Sequence, residues 1–293
     1  MDLSIVILNY KQKGLVRQSI KGIIAARPKL DYEIIVVDNA SGDDCLGMAK
    51  KIFHPAGANQ EQASLPLGHD LVIPSHQLVQ SKLNGGFAVG NNLGIKQAKG
   101  EFVLVINPDV AITPGALERM VEFMRQHPMA GIAGAKLINP DGSVQLSARR
   151  FPKVLIPLYR RTFVGKLPFA RKSLDHYLMS EADHNVTQEV DWLFGAYLLV
   201  SRELIQKIGM FDERFFMYFE DLDLCRRSWE AGYSVWYVAE VELVHYHQRM
   251  SAASSGFLSI LRKGTRVHLA SGIKYFAKYL GVPLPRRGRP LPR

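Results

Sequence analysis

Three short apolar runs, each ending in Asn or Asp, restrict the fold of this chain more than any other feature. Leu3 to Leu8 runs into Asn9, Tyr32 to Val37 into Asp38, and Glu101 to Ile106 into Asn107. Each is short and rich in Val, Ile and Leu, which reads as a buried strand. Helical patterns lie between them. Lys13 to Ala26 carries Leu15, Ile20, Ile23 and Ile24 on one side. Asp43 or Ser41 is placed to cap a helix through Met48 to Ile52. Pro114 opens a helix through His127, and Gly131 to Ile138 returns to strand. Alternating buried strands and helices predict an α/β fold, a mostly parallel sheet with helices on both faces. The polar run ends matter because open α/β sheets bind ligands beyond the carboxyl ends of their strands.

The rest of the chain is less regular. His54 to Ser75, with three prolines and two glycines, reads as a surface insertion. His76 to Gln80 predicts a strand, and Gly100 ends the helix before Glu101. Arg149 to Tyr177 is basic and aromatic, and Val190 to Val200 is strand-like. Helices are expected over Ser201 to Ile208 and Asp221 to Ala231, then short strands over Ser234 to Val238 and Val241 to Val244. The N-terminus reads as a first strand and not a signal peptide. No run of eighteen apolar residues predicts a membrane span. Cys45 and Cys225 are too few and too distant for a disulfide framework or a metal knuckle, so a reducing compartment is expected.

Charge is uneven. Leu243 to Arg293 holds ten Lys or Arg and no acidic residue; the other 27 basic residues balance all 27 acidic ones. That pattern argues against a nucleic-acid-coating protein and for a local anionic partner.

Several residues are chemical candidates. Glu220, Asp221 and Asp223 sit among Phe215, Phe216, Tyr218 and Phe219, where carboxylates are costly to desolvate unless paired, metal-bound or used with a raised pKa. An acidic first helical turn accounts for one or two of them on a solvated face. Asp109, in N-P-D-V just past a buried strand, can hold Mg2+ or Mn2+, or can simply begin a helix. Asp38 and Asn9 are either capping residues or contacts to a nucleotide. Asn84 to Gly94 is glycine-rich at a strand-to-helix junction, suited to close phosphate approach or to tight packing. His245 and His247 share one strand face; imidazole ligates divalent metals but is more often structural.

In chain order, S-I-V-I-L-N-Y, I-I-V-V-D-N-A-S-G-D, N-G-G-F-A-V-G-N-N-L-G, N-P-D-V, S-A-R-R-F-P, D-W-L-F-G-A, F-D-E-R-F-F-M-Y-F-E-D-L-D-L-C-R-R and H-Y-H resemble the family 2 glycosyltransferases, in their rhamnosyltransferase-like branch. The resemblance spans roughly residues 3 to 251. It implies a GT-A-type nucleotide-diphospho-sugar transferase fold and an inverting, metal-dependent hexosyl transfer from a nucleotide diphosphate sugar, with dTDP-rhamnose the branch-level donor. A glycan or lipid-linked acceptor in cell-surface polysaccharide synthesis is implied. Asn9, Asp38 and Asn84 would line the nucleotide pocket. Asp109 stands at the metal-binding aspartate of the family's D-x-D, with Asn107 in place of its first aspartate, a departure that implies weaker metal binding. His245 matches the later metal ligand, and Asp221 the acceptor-activating base, with Glu220 as its substitute. Trp192, Gly195 and Ala196 resemble the wall around sugar and acceptor. The competing classes are a nucleotidyltransferase and a non-catalytic sugar-nucleotide or glycan-binding homologue.

Two units are expected: a catalytic domain over residues 1–251 and a basic, helical tail over 252–293 with a Pro- and Arg-rich end. In the tail Phe257, Leu261, Leu269, Ile273, Phe276 and Leu280 recur near helical spacing. Lys263, Arg266, Lys274 and Lys278 fall on another face. That is the pattern of an interfacial helix on an anionic membrane surface, or of a helix packed on the catalytic domain. A cytoplasmic location is expected, with peripheral attachment to the inner membrane.

Overall fold

The apolar runs form the centre of one sheet in the computed structural model, which describes residues 1–54, 73–246 and 263–285. The first half of the chain runs β1 (Leu3–Asn9), α1 (Lys13–Ala25), β2 (Tyr32–Asp38), α2 (Cys45–Phe53), β3 (Ser75–Gln80), α3 (Gly86–Ile95) and β4 (Phe102–Ile106). The short β5 (Val110–Ala111), α4 (Ala116–Gln126), β6 (Ala130–Ile138) and β7 (Ala148–Arg149) follow. Next come α5 (Ile156–Arg161), a 3-10 turn (Phe163–Lys166) and α6 (Pro168–Leu178). The chain continues through β8 (Gln188–Glu189), β9 (Trp192–Leu193), β10 (Tyr197–Ser201), α7 (Arg202–Ile208), α8 (Glu220–Glu230), β11 (Ser234–His245) and α9 (Lys263–Lys278). Much of the expected insertion at His54 to Ser75 lies outside the described residues, as do His247, Phe257, Leu261 and the Arg-rich end.

Strand order is β3-β2-β1-β4-β10-β6-β11-β5, with β8 on β11. β1 to β4 are mutually parallel, and β11 runs parallel to β6. β10 lies antiparallel between β4 and β6. Alternate residues feed opposite layers, as the pleat requires. Ile5, Ile34 and Leu104 pack with α1, α2 and α4, while Val6, Ile35 and Val103 pack on the layer that holds Leu222 and Trp229 of α8.

Three local expectations change. The run Val190 to Val200 is no single strand; it breaks at Phe194-Gly195-Ala196 between β9 and β10. The two short strands after Ser234 are one strand whose register against β6 shifts between Val238 and Glu242. Ser41 and Asp43 make no side-chain cap on α2, which starts from Asp44 in a left-handed conformation.

The tail helix departs from a simple split into apolar and basic faces. Its inward face is Thr265, His268, Ser271 and Tyr275, all buried. Lys278 Nζ reaches Asp212 Oδ2 at 2.7 Å and Asp223 Oδ1 at 2.5 Å, and Lys274 Nζ donates to the Arg214 carbonyl at 2.8 Å. Two lysines assigned to a membrane-facing side are thus held by the catalytic body, and Lys278 joins Arg227 as counter-charge for the buried Asp223. Ile273 and Leu280 remain outward, 71% and 85% exposed. Among the described residues no helix is long and apolar enough to cross a membrane.

The glycine-rich segment is a packing device. Gly90 and Gly94 let α3 lie directly on Leu8 of β1, and on Val6 and Val37. Gly86 has φ +84°, and a Cβ there would sit 1.9 Å from the Phe216 carbonyl oxygen. Gly42 has φ +70° with open space around it. Gly42→Ala should therefore cost only left-handed strain, about 1–2 kcal/mol. Gly86→Ala adds a backbone collision and should lose roughly twice that or more. Urea unfolding of both variants checks the difference.

Candidate active site

The carboxyl ends of β1, β2 and β3 gather the first group of polar residues. Asn9 is fully buried, and its Nδ2 donates to Asp38 Oδ1 at 2.8 Å, Ser41 Oγ at 2.7 Å and Asp43 Oδ1 at 2.9 Å. Asp38 also accepts from Ser41 Oγ and from Gln80 Nε2. Burial pushes the Asp38 carboxyl up, yet the hydrogen bonds from Ser41, Asn9 and Gln80 outweigh it and hold the pKa below the usual value. Asn39 links this cluster to α3: its Nδ2 donates to Asn84 Oδ1 at 3.0 Å and to the Gly86 carbonyl at 3.0 Å. Asn9, Asp38 and Asn84 thus lie in one connected cluster, with Asn9 facing protein groups.

The N-terminus of α3 does not offer the free N–H groups that its glycines suggested. Gly85 N–H donates to Asn39 Oδ1, Gly86 N–H to Asn84 Oδ1, and Phe87 N–H to the Phe216 carbonyl at 2.7 Å. Those three donors are committed to protein acceptors.

A second group forms where the antiparallel pair β5–β11 places His245 opposite Val110. Tyr246 N–H donates to the Asp109 carbonyl at 2.8 Å, which locks the pairing. His245 Nε2 then lies 3.2 Å from Asp109 Oδ1. Gln145 sets the imidazole tautomer. Its Nε2 donates to Asn139 Oδ1 and to the His245 carbonyl, which turns Oε1 toward His245 Nδ1 at 2.7 Å. Nδ1 therefore donates to Gln145, and Nε2 is turned toward a carboxylate oxygen. A nitrogen and an oxygen acceptor converging in this way, with the outer ring nitrogen anchored, fit a divalent cation. Asn107 enters through its backbone, donating to the Ala196 carbonyl at 2.9 Å.

The third group sits at the start of α8. Asp221 is 6% exposed; its Oδ2 accepts from Gly195 N–H at 2.9 Å and its Oδ1 from Leu222 N–H at 2.8 Å. A Cβ at Gly195 would meet Asp221 Oδ2 at 3.3 Å, so glycine keeps this approach open. Burial raises the Asp221 pKa, and its two backbone hydrogen bonds and Arg149 oppose the rise. Glu220 is raised well above its ordinary value by burial, then by the charge of Asp221. Its Oε2 has no hydrogen-bond partner among the described residues. The approach to the pair is strained: Tyr218 and Phe219 have φ +70° and +71°. Asp223 is different in kind. It faces away, ion-paired with Arg227 Nε at 2.7 Å and with Lys278, and accepts from Tyr279 Oη.

Segment 194–196 joins the second and third groups. The Phe194 ring lies 6.2 Å from that of His245, Gly195 holds Asp221, and Ala196 holds Asn107. Trp192 closes one side, donating from Nε1 to the Arg150 carbonyl at 2.9 Å. The Arg149 guanidinium lies 5.2 Å from the Trp192 ring centroid and 5.7 Å from that of Phe194. Arg149, Gln145 and Asn39 were not singled out as site residues from sequence. Arg149 lay within a motif that carried the resemblance, whereas nothing local marks Gln145, one hundred residues from His245.

A mostly parallel sheet with a converging Asp–His pair and a buried carboxylate pair beyond its strand ends defines a GT-A-type transferase. Mannosyltransferase PcManGT from Pyrobaculum calidifontis, solved in complex with GDP-Man and Mn2+, superposes with a TM-score of 0.56 at 15% identity, over 96% of this chain and 75% of its own. S. aureus TarS 1–349 gives a TM-score of 0.54 at 16% identity over 84% of this chain, which spans 60% of that structure. In sequence the family model "Glycosyl transferase family 2" matches residues 4–209. N-acetylglucosaminyl-diphospho-decaprenol L-rhamnosyltransferase of Mycobacterium tuberculosis is 33% identical over 210 residues, covering 67% of each chain. The chain belongs to glycosyltransferase family 2.

The buried pair gives a stability test. For a carboxyl whose pKa is raised on folding, the native state binds more protons than the unfolded state, so stability falls as pH rises from the ordinary value of 4.5 toward the folded one. Glu220→Gln removes that titration. Across pH 5 to 8 the wild type should lose stability relative to Glu220→Gln, and Glu220→Gln should be the more stable at neutral pH. Urea unfolding at a series of pH values measures this.

Proposed function

We propose that this glycosyltransferase moves a sugar, L-rhamnose being the first candidate, from a nucleoside diphosphate to a hydroxyl of a glycan or lipid-linked acceptor, with inversion at the anomeric carbon. The observation that carries the reading is the placement of Asp221, buried and fixed by Gly195, across segment 194–196 from the Asp109–His245 pair. The rhamnosyltransferase name of the mycobacterial relative supports the choice of sugar and of a lipid-linked acceptor in polysaccharide synthesis.

Asp221 acts as the general base. Its elevated pKa makes it a stronger base than an exposed aspartate, and its two N–H bonds fix its direction. The acceptor O–H proton passes to Asp221. The acceptor oxygen forms its bond to the anomeric carbon as the bond to the diphosphate oxygen breaks, and the electron pair departs with the nucleoside diphosphate. Attack opposite the leaving group needs no enzyme nucleophile. Glu220 stays protonated beside Asp221, so one negative charge occupies the pair. The nucleotide lies over the cluster of Asn9, Asp38 and Asn84, and Trp192, Gly195 and Ala196 wall the sugar.

Asp109 and His245 would hold Mg2+ or Mn2+. When bound, the ion neutralises charge on the leaving diphosphate. The Mn2+ in the PcManGT complex supports this assignment. Arg149 supplies a second positive charge near the reacting groups, in place of the committed N–H groups of α3.

Asp221→Asn keeps shape and removes basicity, so kcat should fall about a hundredfold or more with donor binding little changed. Asp109→Ala and His245→Ala should lose the metal-dependent part of donor-induced thermal stabilisation. Turnover assays and thermal shift with dTDP-rhamnose and other nucleotide sugars, with Mn2+ or chelator, decide the matter. An active Asp221→Asn enzyme would remove the base assignment.

A further inference from the structure

The segment between β7 and β8 carries a surface that the fold does not use. From Arg149 to Lys172 the sequence has eight Lys or Arg and no acidic residue. It folds as a hairpin of α5, the 3-10 turn and α6, whose inner side chains Ile156, Ala170 and Tyr177 are buried. Yet Val154, Leu155, Leu158, Leu167 and Phe169 all point outward, with Val154 68% and Phe169 62% exposed. A ring contact between Tyr159 and Phe169, centroids 6.1 Å apart, ties the two helices together at this outer side. Single exposed apolar residues are ordinary, but five within one short basic hairpin are a patch.

The patch borders the site. Behind it the Tyr177 carbonyl accepts from Arg150 N–H at 3.0 Å, and the Arg150 carbonyl accepts from Trp192 Nε1. Gly272 of α9 lies between Pro157 of α5 and Phe219, the residue before the carboxylate pair. A partner on this hairpin is therefore within a few side chains of the acceptor wall.

We propose that the α5–α6 hairpin is the surface through which the protein rests on an anionic lipid bilayer, which presents the Trp192 side of the site to the head-group layer. This builds on the reading of a lipid-linked acceptor. Apolar side chains set among Lys and Arg, with no carboxylate from Arg149 to Lys172 and Asp175 the one acidic residue of α6, match a surface that is anionic outside and hydrocarbon beneath. A second copy of the chain is the poorer occupant, because a two-fold contact would set one basic hairpin against another.

Full-length protein is sedimented with phosphatidylcholine vesicles, with and without phosphatidylglycerol, at low and high salt. Binding is expected only with phosphatidylglycerol and should weaken with salt. Val154→Asp combined with Leu155→Asp, and separately Lys153→Glu combined with Lys172→Glu, should each weaken it about tenfold or more. These positions are exposed, and thermal unfolding checks that each variant is folded. Ile273→Asp with Leu280→Asp on α9 is the comparison. Loss confined to that α9 variant, no binding by the wild type, or a concentration-dependent dimer abolished by the hairpin changes without vesicle binding would each overturn the proposal. Donor-induced stabilisation is measured on the same proteins. Its absence with vesicle binding intact would sink the donor reading and leave this surface standing.

Discussion

Two adjacent carboxylates buried at the start of one helix are the constraint around which this molecule is built. Neither Asp221 nor Glu220 has an ion-pair partner among the described residues within that pocket, and both are raised in pKa by burial. The N-terminus of α8 and the N–H groups of Gly195 and Leu222 make one charge tolerable there. A second charge is disfavoured there, which raises the Glu220 pKa beyond the effect of burial alone. The left-handed Tyr218 and Phe219 that lead into the pair are strained, and such strain persists only where the surroundings over-determine it. Here Phe87 N–H grips the Phe216 carbonyl from one side, and Ser271 Oγ of α9 grips the Met217 carbonyl from the other.

The sheet supplies the rest by direction. β10 runs against β4, so the turn that precedes it, Gly195-Ala196, lands at the carboxyl end of β4 beside Asn107. A parallel strand in that place would carry the turn to the opposite edge. β5 likewise runs against β11 and sets Asp109 against His245, residues separated by 136 positions in sequence. Two reversals of strand direction thus bring residues from distant parts of the chain to one small loop.

The parallel half of the sheet was legible because its strands are buried on both faces and announce themselves as apolar runs. Asp109 and His245 were legible through motifs, and the structure brings them together. What could not be read was set by tertiary contacts. The glycines of Asn84 to Gly94 suit phosphate or packing equally well in sequence, and only Leu8, Val6 and Phe216 decide for packing. Asp223 shares its helix turn with Asp221, but its partners Lys278 and Tyr279 lie 55 and 56 residues on. Gln145 and Arg149 act through contacts that no local pattern records. In α9 the buried face is Thr, His, Ser and Tyr with Phe276 packed beside it, a mixture whose direction hydrophobic spacing alone left open.

The reach of α9 back to α8 bears on how the protein is made. The strands from β1 to β4 and their helices end at Ile106 of 293 residues and so leave the ribosome first. Asp223 has Arg227 of its own helix, but its second counter-charge comes only with Lys278, and the Val282 and Pro283 carbonyls that accept from Arg226 of α8 come later still. Until then the helix that carries the carboxylate pair has an unfinished outer face. The cluster of Asn9, Asp38 and Asn84 is therefore synthesised long before α9, which closes over the helix that carries Asp221 and Glu220.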